Sequence, residues 1–211
     1  MAVVEAVIWD FGGVISASPF EAFARYERER GLPPGFLRSV NARNPHDNAW
    51  ARLERSECST REFDALFAAE SAALGHTVQG AEVLALLDGV IRPEMVEALR
   101  RIRERVKTGC ITNNFVAADD HGPRVSDKSA IMRLFHHVIE SAKAGVRKPD
   151  PRIYLMMTEA LRVSPERCVY LDDLGINLKP ARALGMRTIK VQKADEALDE
   201  LEAMLGFPLR D

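Results

Sequence analysis

The stretch "VIWDFGGVIS" (residues 7–16) decides the reading of this chain. Three apolar residues run straight into Asp10, and two glycines follow after Phe11. A short apolar run that ends on an acid and a glycine turn reads as a buried strand delivering a carboxylate to a loop. Outward from it, further strand candidates lie at 108–112 (TGCIT), 137–140 (HVIE), 168–171 (CVYL) and 187–191 (RTIKV), with the first strand spanning 3–9. In the second half they alternate with helix-length segments, an order that predicts an α/β fold with a parallel sheet covered on both faces.

Helix signals support this alternation. Pro93 opens the run to Val106 as a first-turn proline, and Asp150 before Pro151 caps the run to Leu161. Ser59 and Glu62 have capping-box spacing ahead of a helix through Leu74. The interval 16–90 differs, because it holds amphipathic helical patterns at 20–30, 48–56, 60–74 and 79–88 and no convincing strand. It reads as an all-helical insertion after the first strand, with 1–15 and 91–211 forming the core.

Length and composition set the outer bounds. At 211 residues the chain is long enough for one domain carrying an insertion. Hydrophobic residues make up 46% and charged ones 28%, with a formal net charge of -2, so nothing argues for nucleic acid or a membrane surface as partner. Cys58, Cys110 and Cys168 have neither metal-knuckle nor redox spacing. No basic leader or membrane-length apolar run is visible, so a cytoplasmic protein is expected. The oligomeric state is left open.

The polar signals fall where parallel strands end. Asp10 follows the first strand, Thr112 with Asn113 and Asn114 closes the second, Lys148 lies after the third, and Asp172 with Asp173 closes the fourth. In open α/β sheets the carboxyl ends of the strands form the ligand crevice, so these residues are expected to converge. A nucleophilic carboxylate, a hydroxyl, an ammonium and an acidic pair suit phosphoryl transfer. The carboxylates hold Mg²⁺, while the metal and the lysine offset charge on the phosphoryl oxygens. Alone, Asp172–Asp173 would read as a helix N-cap, but two carboxylates at a strand end are costly without a cation.

At these residues the chain resembles the haloacid dehalogenase-like hydrolases, in particular the branch containing the N-terminal phosphatase domain of soluble epoxide hydrolase. The matching stretches are "DFGGV" (10–14), "ITNN" (111–114), "AGVRKPDPRIY" (144–154) and "VYLDDLGINLKPARALGM" (169–186). The resemblance implies a Rossmann-like core with a helical cap inserted after the first motif. It implies a phosphatase acting on a small phosphorylated metabolite, with Asp10 attacking phosphorus to form an aspartyl-phosphate. Thr112, Asn113 and Lys148 would contact the phosphoryl group, and Asn177 would support the acidic loop or the lysine. The Mg²⁺ ligands would be Asp10, Asp173 and the Gly12 carbonyl, with Asp172 adjacent.

Gly12 departs from the pattern. Most phosphatases of this family carry there an aspartate that protonates the leaving group and then activates water. Glycine keeps the metal-binding carbonyl and removes the proton donor, a role worth about 10²–10⁴-fold. Substrates with good leaving groups, such as sugar 1-phosphates, acyl phosphates and aryl phosphates, are therefore expected to be favoured. His46 or Asp47, in "NPHDNAW", is the candidate for a proton donor supplied by the cap. Two alternatives stand beside the phosphatase: a phosphate- and Mg²⁺-binding regulatory module with little or no turnover, and a haloacid dehalogenase, whose relatives also lack the second aspartate but have no use for an acidic pair.

Overall fold

The computed structural model describes residues 3–87, 89–115 and 123–210, with the backbone alone for 123–127. Five strands form one parallel sheet: β1 (Ala6–Trp9), β2 (Lys107–Thr112), β3 (His137–Glu140), β4 (Cys168–Asp172) and β5 (Arg187–Lys190), in the order β3-β2-β1-β4-β5. β1 is central, pairing Ala6 to Trp9 with Lys107 to Cys110 on one side and with Cys168 to Leu171 on the other. All four of its residues are buried, as an all-parallel strand covered on both faces requires. It is shorter than the expected 3–9 because neither neighbour's ladder reaches back past Ala6, and Val3 is largely exposed.

Helices cover both faces. On one side α6 (Pro93–Arg103) and α11 (Ala194–Leu205) bury Met95, Leu99, Ile102, Leu198 and Leu201 against Val7, Trp9, Val169 and Leu171. On the other, α9 (Pro151–Leu161) and α10 (Gly175–Ala183) bury Ile153, Tyr154, Met157 and Leu178 against Ile8, Ile111 and Tyr170. The alternation of neighbouring strand residues between the two clusters is the period-2 pleat. The expected caps are present: Pro93 and Pro151 sit in the first turns, and Asp150 accepts a hydrogen bond from the Arg152 backbone N–H at 2.9 Å.

Between β1 and α6 the described elements are helical. α1 (Phe20–Glu29), α2 (Phe36–Ala42), α3 (Ala49–Glu54), α4 (Thr60–Ala72) and α5 (Gly80–Leu84), with a 3₁₀ turn at 85–87, share one apolar cluster built on Phe23, Leu37, Trp50, Phe63 and Phe67. The Ser59–Glu62 capping box opens α4 with both reciprocal bonds made. The chain enters and leaves these helices side by side, through an antiparallel bridge between Ser16 and Ile91. Flanking bonds run from Ala17 N–H to the Val90 carbonyl (2.7 Å) and from Arg92 N–H to the Ile15 carbonyl (2.9 Å). α2, α7 (Pro123–Met132) and the short α8 (Ser141–Ala144) were not expected from the sequence. Among the described residues no helix is long and apolar enough to cross a membrane.

Candidate active site

The carboxyl ends of β1, β2 and β4 meet at one edge of the sheet, and the side chains following them converge. Asp10 lies one residue beyond β1, its backbone N–H bonded to the Leu171 carbonyl at 2.8 Å, which locks it beside the end of β4. Asp10 is buried, and its Oδ1 accepts from the Phe11 backbone N–H at 2.6 Å and meets Lys148 Nζ at 2.8 Å. Thr112, the last residue of β2, is also buried. Asn113 follows it and clamps the Lys148 backbone from both sides. Its Nδ2 donates to the Lys148 carbonyl at 3.1 Å, and its Oδ1 accepts from the Lys148 N–H at 2.9 Å. The Lys148 side chain, 1% exposed, bridges Asp10 and Asp172, with Nζ 2.9 Å from Asp172 Oδ2.

The two aspartates that close β4 are not equivalent. Asp172 is fully buried, and both of its oxygens are engaged. Oδ1 accepts from the Leu174 N–H (2.8 Å) and Asn177 Nδ2 (3.1 Å), and Oδ2 from Lys148 Nζ, the Tyr170 hydroxyl and Asn177 Nδ2 (3.1 Å). A carboxylate has about four lone-pair directions, so Asp172 is occupied in anchoring Lys148. Asn177 Nδ2 thus reaches both oxygens of Asp172. Asp173 is partly exposed and accepts a hydrogen bond from the Ser18 hydroxyl at 3.1 Å. It lies close against Gly13, whose φ is +78° and where a Cβ would run into the Asp173 carboxyl. Glycine is needed there for both conformation and room.

Carboxylate oxygens of Asp10, Asp172 and Asp173 lie within 4.8 Å of one another. Three carboxylates stand beside one ammonium, so full ionisation would leave two negative charges in excess. Burial is the largest influence on Asp10 and pushes its carboxyl up to about 8. Lys148 pulls it down, while Asp172 and Asp173 push it up further. Asp173 is also raised, first by burial and then by Asp172. For Lys148 burial acts downward, but Asp10 and Asp172 outweigh it and hold its pKa well above the usual lysine range. The remaining oxygen of Asp10 and the Asp173 carboxylate are hard, anionic donors suited to a divalent cation such as Mg²⁺. The residues present thus fit such an ion, with Asp172 contributing charge through an already engaged carboxylate.

Gly12 is partly exposed, and a Cβ built on it meets nothing within 4 Å, so the space where a side chain would stand is open. His46 and Asp47 are both exposed. Asp47 is tied to Arg52 Nε at 3.1 Å, and that contact holds its carboxyl below the usual range, which is the wrong direction for a proton donor. From the helices, Glu54 at the end of α3 reaches the loops of the sheet and meets Arg147, the neighbour of Lys148, at 2.6 Å.

Ser18, Glu54, Arg147 and Tyr170 were not singled out from the sequence. Only Tyr170 had a readable signal, since it stands two residues before Asp172 on the same strand and therefore on the same face.

Comparison with known proteins agrees with this architecture. A mouse protein, acyl-CoA dehydrogenase family member 10, is 35% identical over 210 residues, covering 97% of this chain and 19% of its own length. Pig bifunctional epoxide hydrolase 2 is 33% identical over 221 residues, covering 98% of this chain and 40% of its own. The chain therefore spans less than half the length of these curated relatives. A HAD family enzyme from Bacteroides thetaiotaomicron, solved in complex with magnesium and inorganic phosphate, superposes with a TM-score of 0.60 at 18% identity, over 90% of this chain and 96% of that one. The family model for haloacid dehalogenase-like hydrolases matches residues 4–185, and this chain belongs to that family.

Proposed function

We propose that this chain is a Mg²⁺-dependent phosphatase of a small phosphorylated metabolite. The observation that carries the reading is Asp10, held by Lys148 at the strand ends beside Asp173, in a site with three carboxylates and one ammonium. The pig epoxide hydrolase relative and the magnesium- and phosphate-bound structural neighbour support it. When bound, Mg²⁺ supplies positive charge between the carboxylates and the phosphoryl oxygens; Asp10, Asp173 and the Gly12 carbonyl would hold it.

In this reading the Asp10 carboxylate attacks phosphorus. The bond to the leaving-group oxygen breaks, and an aspartyl-phosphate forms. Lys148 stays protonated throughout, because Asp10 and Asp172 both stabilise its charge, and so it counters the charge on the phosphoryl oxygens. Thr112 and Asn113 complete the phosphate side. Water then attacks the aspartyl-phosphate, inorganic phosphate leaves, and the Asp10 carboxylate is restored. With glycine at position 12 no side chain there protonates the leaving group, so substrates whose leaving groups need no proton are favoured. The helices between residues 16 and 90 act as a cap that excludes water and sets specificity.

The test is phosphate release from aryl, acyl, sugar 1- and alkyl phosphates, with Mg²⁺ and with a chelator, and with Asp10→Asn as the control. Release that requires both Mg²⁺ and Asp10 is expected, ranked by leaving group. Gly12 also favours a second reading, a phosphate- and Mg²⁺-binding module without turnover. Retained Mg²⁺ binding with no release above the control from any substrate would select it.

A further inference from the structure

We propose that Glu54, on α3, is a positioning residue: with Arg147 it fixes the loop that presents Lys148, so that the phosphate side of the site is complete only with the helices docked. This rests on the reading of Lys148 as the phosphate-side cation.

Among the described ion pairs, Glu54–Arg147 joins the helices to the loops of the sheet. The pairs Arg30–Glu82, Arg52–Asp47 and Arg55–Glu57 stay within the helices. The Glu54 and Arg147 side chains are mostly covered, 14% and 20% exposed. Arg147 also donates from Nη1 to the Pro45 carbonyl at 3.0 Å, taking a second hold on the same helices. The short helix before this loop, Ser141–Ala144, is tied as well, by the Ser56 hydroxyl donating to the Ala142 carbonyl at 2.9 Å. The segment 142–147, which leads into Lys148, is thus gripped at both ends by residues flanking or ending α3.

Glu54 acts on the Lys148 holder through Arg147, the preceding residue. Burial raises its carboxyl, and Arg147, the Lys148 charge and the Asn113 side chain oppose this. Asn113 is the residue that clamps the Lys148 backbone N–H and carbonyl. A carboxylate paired with Arg147 therefore holds the residue before Lys148, while Asn113 holds Lys148 itself to the end of β2. A covered ion pair adds little net stability compared with apolar residues of the same volume, and its best-attested use is to fix registry. That is the use proposed here.

The experiment compares the full chain with Glu54→Gln, Arg147→Lys and the double swap Glu54→Arg/Arg147→Glu. Three readouts are taken: kcat and KM for phosphate release with Mg²⁺, hydrogen exchange of the 141–148 backbone amides, and thermal unfolding. The expected result for Glu54→Gln is a kcat lower by about 10- to 100-fold with a smaller change in KM, as a slight misplacement of Lys148 would give. Exchange at 141–148 should be faster while that of β1 and β4 is unchanged, and the double swap should recover part of both. Unchanged exchange at 141–148 overturns the proposal, whether or not kcat falls. If Glu54→Gln does not fold, Arg147→Lys decides by the same criteria. The exchange readout needs no turnover, so it separates failure of this proposal from failure of the phosphatase reading.

Discussion

Replacing Gly12 by aspartate should make this protein a faster phosphatase. The backbone at Gly12 lies outside the left-handed region, and a Cβ there meets nothing within 4 Å, so the side chain enters without a clash. Its carboxyl would stand two residues from Asp10, close to a cluster with more negative charge than Lys148 balances. Those charges raise its pKa, which keeps it protonated nearer neutral pH and suits it to donate a proton. General acid–base catalysis contributes about 10²–10⁴-fold, or roughly 3–5 kcal/mol at about 1.4 kcal/mol per tenfold. Because the new carboxylate also adds charge to an acidic site, the lower end is expected, about 10²-fold in kcat on an alkyl phosphate such as glycerol phosphate. An aryl phosphate, whose leaving group needs no proton, should gain less. The assay is steady-state phosphate release at saturating Mg²⁺ for both substrates, with thermal unfolding to check that the variant is folded. A folded, Mg²⁺-binding Gly12→Asp protein with no gain on the alkyl phosphate would refute the argument that a missing proton donor limits this site.

The other predictions follow from the same cluster. Asp10→Asn should abolish phosphate release and leave Lys148 paired to Asp172; release at the wild-type rate would remove Asp10 as nucleophile. Lys148→Met should lower stability by about 3–5 kcal/mol, measured by denaturant unfolding, because it leaves Asp10 and Asp172 buried without their cation. Gly13→Ala should weaken Mg²⁺ binding in calorimetry, since its Cβ displaces Asp173, and should cost about 1–3 kcal/mol for the positive φ. The pH dependence comes from Asp10, whose carboxyl is raised from its ordinary 3.8 to about 8. A raised carboxyl contributes stability that is complete below its unfolded pKa and is lost as pH rises through the folded value. Metal-free protein should therefore lose stability between about pH 4 and 8, and Mg²⁺, which competes with the proton, should raise the melting temperature more at pH 8 than at pH 6. A Mg²⁺ effect independent of pH over that range would contradict it.

Much of the site was legible because parallel strands advertise their ends. An apolar run must stop where the sheet stops, so Asp10, Thr112 and Asp172 could be placed at one edge before any contact was known. The capping signals at Ser59, Pro93 and Asp150 were legible for a similar reason, since each acts within its own first turn. Other features depended on the assembled fold. α2 starts at Gly35 in the left-handed region with no side-chain cap, and the Glu27 carboxylate, from a different helix, receives the Gly35 and Leu37 N–H groups at 2.8 and 2.9 Å. Strand ends were misjudged at β1 because a strand stops where its neighbours stop pairing.

The division of labour between Asp172 and Asp173 shows where the sequence ends and the tertiary structure begins. By itself the sequence determined the strand order of the chemistry, the residue types brought to the sheet edge, and the absence of a side chain at position 12, because these depend on local periodicity and on composition at fixed positions. Which aspartate anchors Lys148 and which keeps lone pairs for a cation was decided by Tyr170, Asn177 and Leu174 closing around one of them and Ser18 reaching only the other. The pairing of Glu54 with Arg147 was decided the same way. Hydrogen bonds and ion pairs between residues far apart in the chain leave no periodic trace in the sequence, since they form only when packing of the apolar clusters has fixed where each element lies.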